Sequence, residues 1–383
     1  MARGDAFKLG IVSKLLQSIG IIPIFRMQDA GTKGVKKNIE SYKIVYHLLK
    51  KNKKIMIFAE GICIQEKRLR PIKKGVPRLI YSAQLEIPNT DILIIPVCLN
   101  YSNPSQIGST LFIYVGEPFT VTKKMQEYLE NTNAAMQQMM KDIYRQMRQQ
   151  IIHIDRPEND ALFEKTRYVL SYVLCQKKKL NANNLEHLFI VEKEIAECIN
   201  QTSEKYPEHL SAFAHKINLL YTLLTNQDIH IPSLFEHTFH PFILFIKALF
   251  YSLVYIPYSA LYQIVTTFMY IPYKLSDYLS KKLSPSKEFY ASFFLAFSTF
   301  LFLFYYIGCF FILKNYCSPI LILLFFAGTL AFIPLIHYYS EYRAKLITLL
   351  KILKNKTFAL NLNKNIQQIL RAYEQLQANL AIH

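Results

Sequence analysis

The sequence predicts an α/β unit at the start of the chain and a membrane-embedded helical region near its end. Three observations carry this reading. Short apolar stretches alternate with helical periods over residues 1–120. The chain turns almost wholly apolar from Pro241 onward. Hydrophobic residues make up 51% of the 383 residues against 19% charged, too apolar a balance for a wholly soluble protein.

Within 1–120 the elements read in order. LGIVSKLLQSIG predicts a short helix with Ile11, Leu15, Leu16 and Ile19 on one face, and IIPIF a strand. NIESYKIVYHLLKKN is a second helix, with Ile39, Tyr42, Tyr46 and Leu49 at helical spacing, and KIMIF a second strand. KGVPRLIYSAQLE gives a third helix, DILIIPVCLNY a third strand and TLFIYVGEPF a fourth. Apolar strands alternating with helices predict a mainly parallel sheet covered on both faces, with a strand order that cannot be read from the sequence.

Residues 121–240 are polar and helical in pattern. Met136, Met139, Met140, Ile143 and Met147 form a stripe of the kind that packs a core. The region 241–340 is the membrane part. FYASFFLAFSTFLFLFYYIGCFFIL (289–313) carries no charge, SPILILLFFAGTLAFIPLIHYY (318–339) is similar, and a four-residue turn makes them a hairpin of two transmembrane helices. Lys274, Lys281, Lys282 and Lys287 flank it on one side and Arg343, Lys345, Lys351 and Lys354 on the other, so both flanks are expected to be cytoplasmic. Two further spans need about 40 residues. The stretch 242–273 has 32, with Pro257 and Pro272, so a re-entrant or interfacial pair is expected over 241–273. The tail 341–383 is an amphipathic helix that docks on the protein or on the membrane surface.

Lys and Arg number 45 against 27 Asp and Glu, a net charge of +18. This surplus favours anionic partners, and the apolar content selects lipid headgroups rather than nucleic acid. No nucleic-acid-binding module stands among the basic stretches. The six cysteines show no C-x-x-C pair, so they read as free thiols, and no metal site is expected. MARGDAFKLG lacks the apolar core of a signal peptide.

Four stretches hold the candidate chemistry: ARGDAFK (2–8), GIIPIFR ending in Arg26, IFAEGICIQEKRLRPIKKG with Glu60 and Gly61, and IIPVCLNY with Pro96. Arg26 and Glu60 each end an apolar strand, where open α/β sheets bind ligands. Glu60 is followed by Lys67, Arg68, Arg70, Lys73 and Lys74, and guanidinium groups bind phosphate oxygens bidentately. Two readings of Glu60 stand side by side: a ligand-holding carboxylate, and a carboxylate that merely pairs with a cation.

In this order the stretches resemble the second, third and fourth motif blocks of the glycerolipid acyltransferases, which include the lysophosphatidic acid and glycerol-3-phosphate acyltransferases. ARGDAFK resembles the segment before the second block in bacterial members with a C-terminal membrane region. The resemblance covers residues 1 to about 120. It implies an acyltransferase-type α/β fold and acyl transfer from acyl-CoA or acyl-carrier protein, as co-substrate, to a hydroxyl of a glycerol phosphate or lysophospholipid. It also implies a role in phospholipid biosynthesis without cofactor or metal, and a site at the bacterial inner membrane, with the α/β unit on its cytoplasmic side. Arg26 matches the Arg that holds acceptor phosphate, Glu60 and Gly61 the acceptor-binding Glu-Gly, and Pro96 the Pro on the acyl side of the site. Arg3 and Lys8 add positive charge.

Two departures bear on function. Ala59 stands where the family has Pro, and Ile62-Cys63 where it has Thr-Arg, which leaves Arg68 or Arg70 to supply the missing cation. The family's His-x4-Asp block, whose His deprotonates the acceptor hydroxyl, is absent from these residues. None of the ten histidines has Asp five positions on; His153 and His187 have Glu there and are read as surface residues. In the family that block precedes the segment resembling ARGDAFK. A chain that starts late, which an in-frame His-x4-Asp upstream of Met1 would support, is one expectation. A non-catalytic lipid-binding or scaffold homologue is the other. Either way 1–383 is expected to lack transfer activity.

Overall fold

The computed structural model describes residues 1–7, 10–25, 31, 36–62, 64, 66–103, 109–235 and 241–381. The chain divides into two compact units. The first takes Met1–Ile64, Arg68–Asn100 and Ile113–Ile151, and the second Gln65–Lys67, Tyr101–Phe112 and Ile152–His383.

In the first unit, β1 (Ala2–Arg3) pairs in parallel with β2 (Pro23–Ile24), Ala2 opposite Pro23 and Arg3 opposite Ile24. Helix α1 (Gly10–Ser18) lies between them in sequence. Helix α2 (Asn38–Lys50) follows, burying Val45 with Ile22 and Leu79. It stops in a Schellman turn. Asn52 takes the left-handed conformation at φ 55°, its N–H bonding Leu49 O, while Lys53 N–H bonds Leu48 O, both at 2.9 Å. Helix α3 (Gly75–Glu86) then leads to β3 (Leu93–Ile94), β4 (Val97–Tyr101), β5 (Leu111–Val115) and β6 (Phe119–Thr120), of which Tyr101 and Leu111–Phe112 are counted with the second unit. Buried Gln84 holds the turn after α3, donating to Ile87 O and Thr90 O and accepting from Ile92 N–H. Helices α4 (Met125–Glu130) and α5 (Thr132–Arg148) close the unit. Met136 and Met139 of the methionine stripe are buried there against Tyr81, Ile72 and Val121.

The mainly parallel sheet is not what the described residues show. Parallel pairing is confined to β1 and β2, and β3 and β6 are antiparallel. The pair β4–β5 is bracketed by Gly116 N–H to Pro96 O (2.8 Å) and Ser102 N–H to Thr110 O (2.9 Å), bonds that step in opposite directions along the two strands, so it is antiparallel too. The expected strand 54–58 forms no ladder. It is tied to β1 by Met1 N–H to Met56 O at 2.7 Å, with Ile55 and Ile57 turned to apolar clusters and Met56 and Phe58 exposed. The expected strand 91–101 is broken at Pro96, which has no N–H to give a ladder. Leu93, Ile95, Val97, Ile113 and Val115 are exposed, so these strands lack the cover on both faces that parallel sheets require.

The second unit is helical: α6 (Asp160–Lys177), α7 (Leu185–Lys205), α8 (Pro207–Asn226) and α9 (Ile231–Phe235) precede α10 (Pro241–Phe268), α11 (Tyr270–Leu283), α12 (Tyr290–Leu313), α13 (Pro319–Lys354) and α14 (Lys356–Ala381). The amphipathic tail α14 docks on the protein, burying Ile366, Ile369, Tyr373 and Leu376 in the core built by α6, α7 and α8. Phe242–Phe268 and Lys287–Leu313 are long and apolar enough to cross a membrane, and Pro319–Ala331 continues the apolar character into α13. Helix α10 runs unbroken through Pro257. It packs antiparallel to α13, with Tyr251 beside Tyr342, Tyr255 beside Tyr339 and Phe268 beside Phe325, which brings the starts and ends of the pair together at one end.

Candidate functional site

Glu60 and Gly61 sit on a turn after the extended segment 55–58, closed by Gly61 N–H to Phe58 O at 3.2 Å. Gly61 has φ +67°, a left-handed conformation that costs an L side chain about 1–2 kcal/mol. A Cβ there would also lie 3.2 Å from Lys73 Cγ. The turn is stitched to the segment that enters α3. Glu60 Oε2 accepts the Arg70 N–H at 2.7 Å, and Ala59 O accepts the Lys73 N–H at 3.0 Å. Ten residues apart in sequence, Glu60 and Arg70 are thus fixed side by side.

Burial raises the Glu60 carboxyl above its ordinary value of 4.5, opposed by the Arg70 N–H bond and then by the Arg70 charge. Cys98 senses the same group. Its thiol is buried and pushed up to about 11, first by burial and then by the Glu60 charge. Pro96, two residues before it, is buried, and its carbonyl holds Gly116. Arg68 and Arg70 are half-buried, whereas Lys73 and Lys74 are exposed where α3 begins, at Gly75. A helix N-terminus flanked by cations favours anions.

Lys67 does not join this group. It belongs to the second unit, where its Nζ donates to Tyr101 O at 2.9 Å, stands 3.7 Å from Glu164 and lies over the Phe163 ring. Arg167 completes that network, bonding Glu164 (2.7 Å), Glu192 (3.2 Å) and Ser102 O (2.9 Å). Burial lowers the Lys67 pKa, and the Arg167 charge lowers it further. The basic run 67–74 is therefore divided, and only its later members stand with Glu60.

Arg26 and Lys8 lie outside the described residues, as does the side chain of Arg3. The backbone next to Arg26 is described: Phe25 N–H donates to Asn38 Oδ1 and Asn38 Nδ2 donates to Phe25 O, both at 2.8 Å. Gly4 is required beside this clamp, because a Cβ there would meet the Phe25 ring at 2.3 Å. Asn38 was missed as a site-building residue. The signal was an Asn opening a helix a dozen residues after an Arg-ended strand.

His153 is not a surface residue. It is 5% exposed, and its Nε2 lies 3.2 Å from Asp155 rather than pairing with Glu158. Asn200 holds this stretch, donating to His153 O and accepting Asp155 N–H. The pair belongs to the second unit. His187 accepts the Asn181 N–H and shapes a loop. Among the described residues no group of three or more His, Cys, Asp or Glu side chains could hold a metal ion.

No curated protein and no solved structure matches the chain. Residues 1–100, which contain Arg26, the Glu60 turn, the entry to α3 and Pro96, match the family model described as Acyltransferase, so this part of the chain is similar to an acyltransferase domain.

Proposed function

We propose that residues 1–100 form the acceptor side of a glycerolipid acyltransferase site at a bacterial inner membrane. The observation that carries this is the stitched turn, which sets Glu60 and Gly61 against Arg70 and Lys73 within the stretch similar to acyltransferases. In this reading Arg26, Arg68 and Arg70 hold the phosphate of a glycerol phosphate or lysophospholipid, aided by Lys73, Lys74 and the start of α3, with Arg3 and Lys8 adding charge. Glu60 orients the acceptor hydroxyl, and Pro96 lies on the acyl side. Acyl-CoA or acyl-carrier protein supplies the acyl group. The hydroxyl oxygen bonds the thioester carbonyl carbon, the C–S bond breaks, and the hydroxyl proton leaves to a base as the thiol departs. In this reading Glu60 holds the acceptor and is not that base, one of its oxygens already accepting the Arg70 N–H.

The base in this chemistry is the His of a His-x4-Asp pair, which these 383 residues do not contain. A second reading is a lipid-binding or scaffold homologue that keeps the phosphate pocket. Both readings predict that 1–383 binds the phosphorylated acceptor without transferring acyl groups to it. Photo-cross-linking with a diazirine lysophosphatidate should label peptides within residues 1–100. Labels confined to 241–354, or acyl transfer by purified 1–383, contradict the proposal.

A further inference from the structure

A polar cleft of about 350 Å³ opens in the helical unit. Its walls come from the end of α6 (Gln176), the loop before α7 (Asn181, Asn183), the start of α9 (His230) and α13 (Glu341, Lys345). The acyltransferase reading uses none of these residues.

Its depth follows from α13. The helix is apolar in sequence from Pro319 to Tyr339, about 30 Å at 1.5 Å per residue, which equals the hydrocarbon thickness of a bilayer. Glu341 and Lys345 stand about 3 and 9 Å further along, at the level of lipid headgroups. The same end of the α10–α13 pair is fastened to the helical core by Arg343 to Asp228 at 2.8 Å and by His230 N–H to Thr348 Oγ1 at 2.8 Å. The cleft is thus built into the protein at headgroup depth.

Its charge selects the ligand. Glu341 and Lys345, one turn apart, form an ion pair at 2.5 Å, so the cleft carries one carboxylate and one ammonium. An anion alone engages only Lys345 and parts it from Glu341, and a cation alone engages only Glu341. A zwitterion engages both charges at once and replaces an exposed ion pair that is itself worth little. The amides of Gln176, Asn181 and Asn183 supply acceptors for N–H groups and donors for phosphate oxygens. A primary ammonium uses these acceptors, whereas a quaternary ammonium cannot donate hydrogen bonds.

We propose that this cleft binds the headgroup of a membrane aminophospholipid, its ammonium on Glu341 and its phosphate on Lys345. The inference rests on α13 crossing the bilayer and not on acyl transfer. It is tested by lipid retention, which is independent of activity. The full chain is placed in bilayers of equal phosphatidylethanolamine, phosphatidylcholine and phosphatidylglycerol, extracted in mild detergent, and its bound lipid quantified by mass spectrometry. Wild type should hold phosphatidylethanolamine at least fivefold over phosphatidylcholine. Glu341→Gln and Lys345→Gln should each abolish that preference. The double exchange Glu341→Lys/Lys345→Glu keeps an ion pair to guard the fold and should bind with lowered affinity, because the partners of the two headgroup charges are transposed. Equal retention of the lipids by wild type, unchanged preference in both single variants, or failure of the chain to enter the bilayer overturns the proposal.

Discussion

Asn38 grips Phe25 from both sides, donating to its carbonyl and accepting its N–H at 2.8 Å. The grip fixes the backbone one residue before Arg26. Removing it orphans both Phe25 groups, and Asn38→Ala should cost about 2 kcal/mol of stability in the first unit. Thermal unfolding in detergent measures this. Asn38→Asp keeps only the acceptor half and should fall between wild type and Ala.

Gly61 serves the turn through its backbone. With φ +67° and Lys73 Cγ close to where a Cβ would sit, Gly61→Ala should destabilise by about 1–2 kcal/mol, and Gly61→Asn by less, since Asn visits the left-handed region more readily. Denaturant midpoints of the two variants test the order. Equal losses would show that crowding, not conformation, decides the site.

Glu60 makes stability depend on pH in a fixed direction. Its carboxyl titrates above 4.5 in the folded protein, so between 4.5 and that raised value the folded state keeps a proton that the unfolded state has released. Stability from this group is therefore present below 4.5 and falls as pH rises through the window. Glu60→Gln keeps an acceptor for the Arg70 N–H and removes the charge. It should flatten the pH dependence and unfold at a higher temperature than wild type at pH 7. A steeper pH dependence in the variant would contradict the burial account.

The thiols report both the core and the membrane arrangement. Cys98 is buried, with its pKa pushed up to about 11, so it should resist maleimide at pH 8 until the protein unfolds. Cys317 is exposed at the turn between α12 and α13, at the far end of α13 from Glu341. If the charged flanks of the hairpin face the cytoplasm, an impermeant maleimide should label Cys317 in intact cells and leave Cys98 untouched, as peptide mapping would show.

What the sequence revealed and what it hid divide along physical lines. Helices α2 and α3 and the tail were legible because each carries an apolar face at a period near 3.6. The methionine stripe was legible for the same reason. The finer choice of face was less so: Ile39 is exposed while Val45, about 120° away round the helix, is buried. The strands were over-read. An apolar run such as 54–58 states a wish for burial and not the presence of a neighbour to pair with, and Pro96 breaks a ladder that hydropathy alone would continue. The Glu60 turn could be located because Gly follows Glu directly after an apolar run. The diversion of Lys67 could not, since it depends on Tyr101, Glu164 and Arg167, residues 34 to 100 positions away.

The most direct test of the account is equilibrium binding of lysophosphatidate and of monoacylglycerol, its phosphate-free counterpart, to wild type, Arg70→Ala and Lys67→Met. Arg70→Ala removes the guanidinium and keeps the N–H that Glu60 accepts, so the turn remains. The account predicts that wild type prefers the phosphorylated lipid. It predicts that Arg70→Ala loses about ten- to a hundredfold of that affinity, as expected for a charge-assisted hydrogen bond of about 1.5–3 kcal/mol. Lys67→Met should bind as wild type does, because Lys67 is engaged in the helical unit. Equal affinity of wild type for the two lipids, or a loss in Lys67→Met as large as in Arg70→Ala, would contradict it.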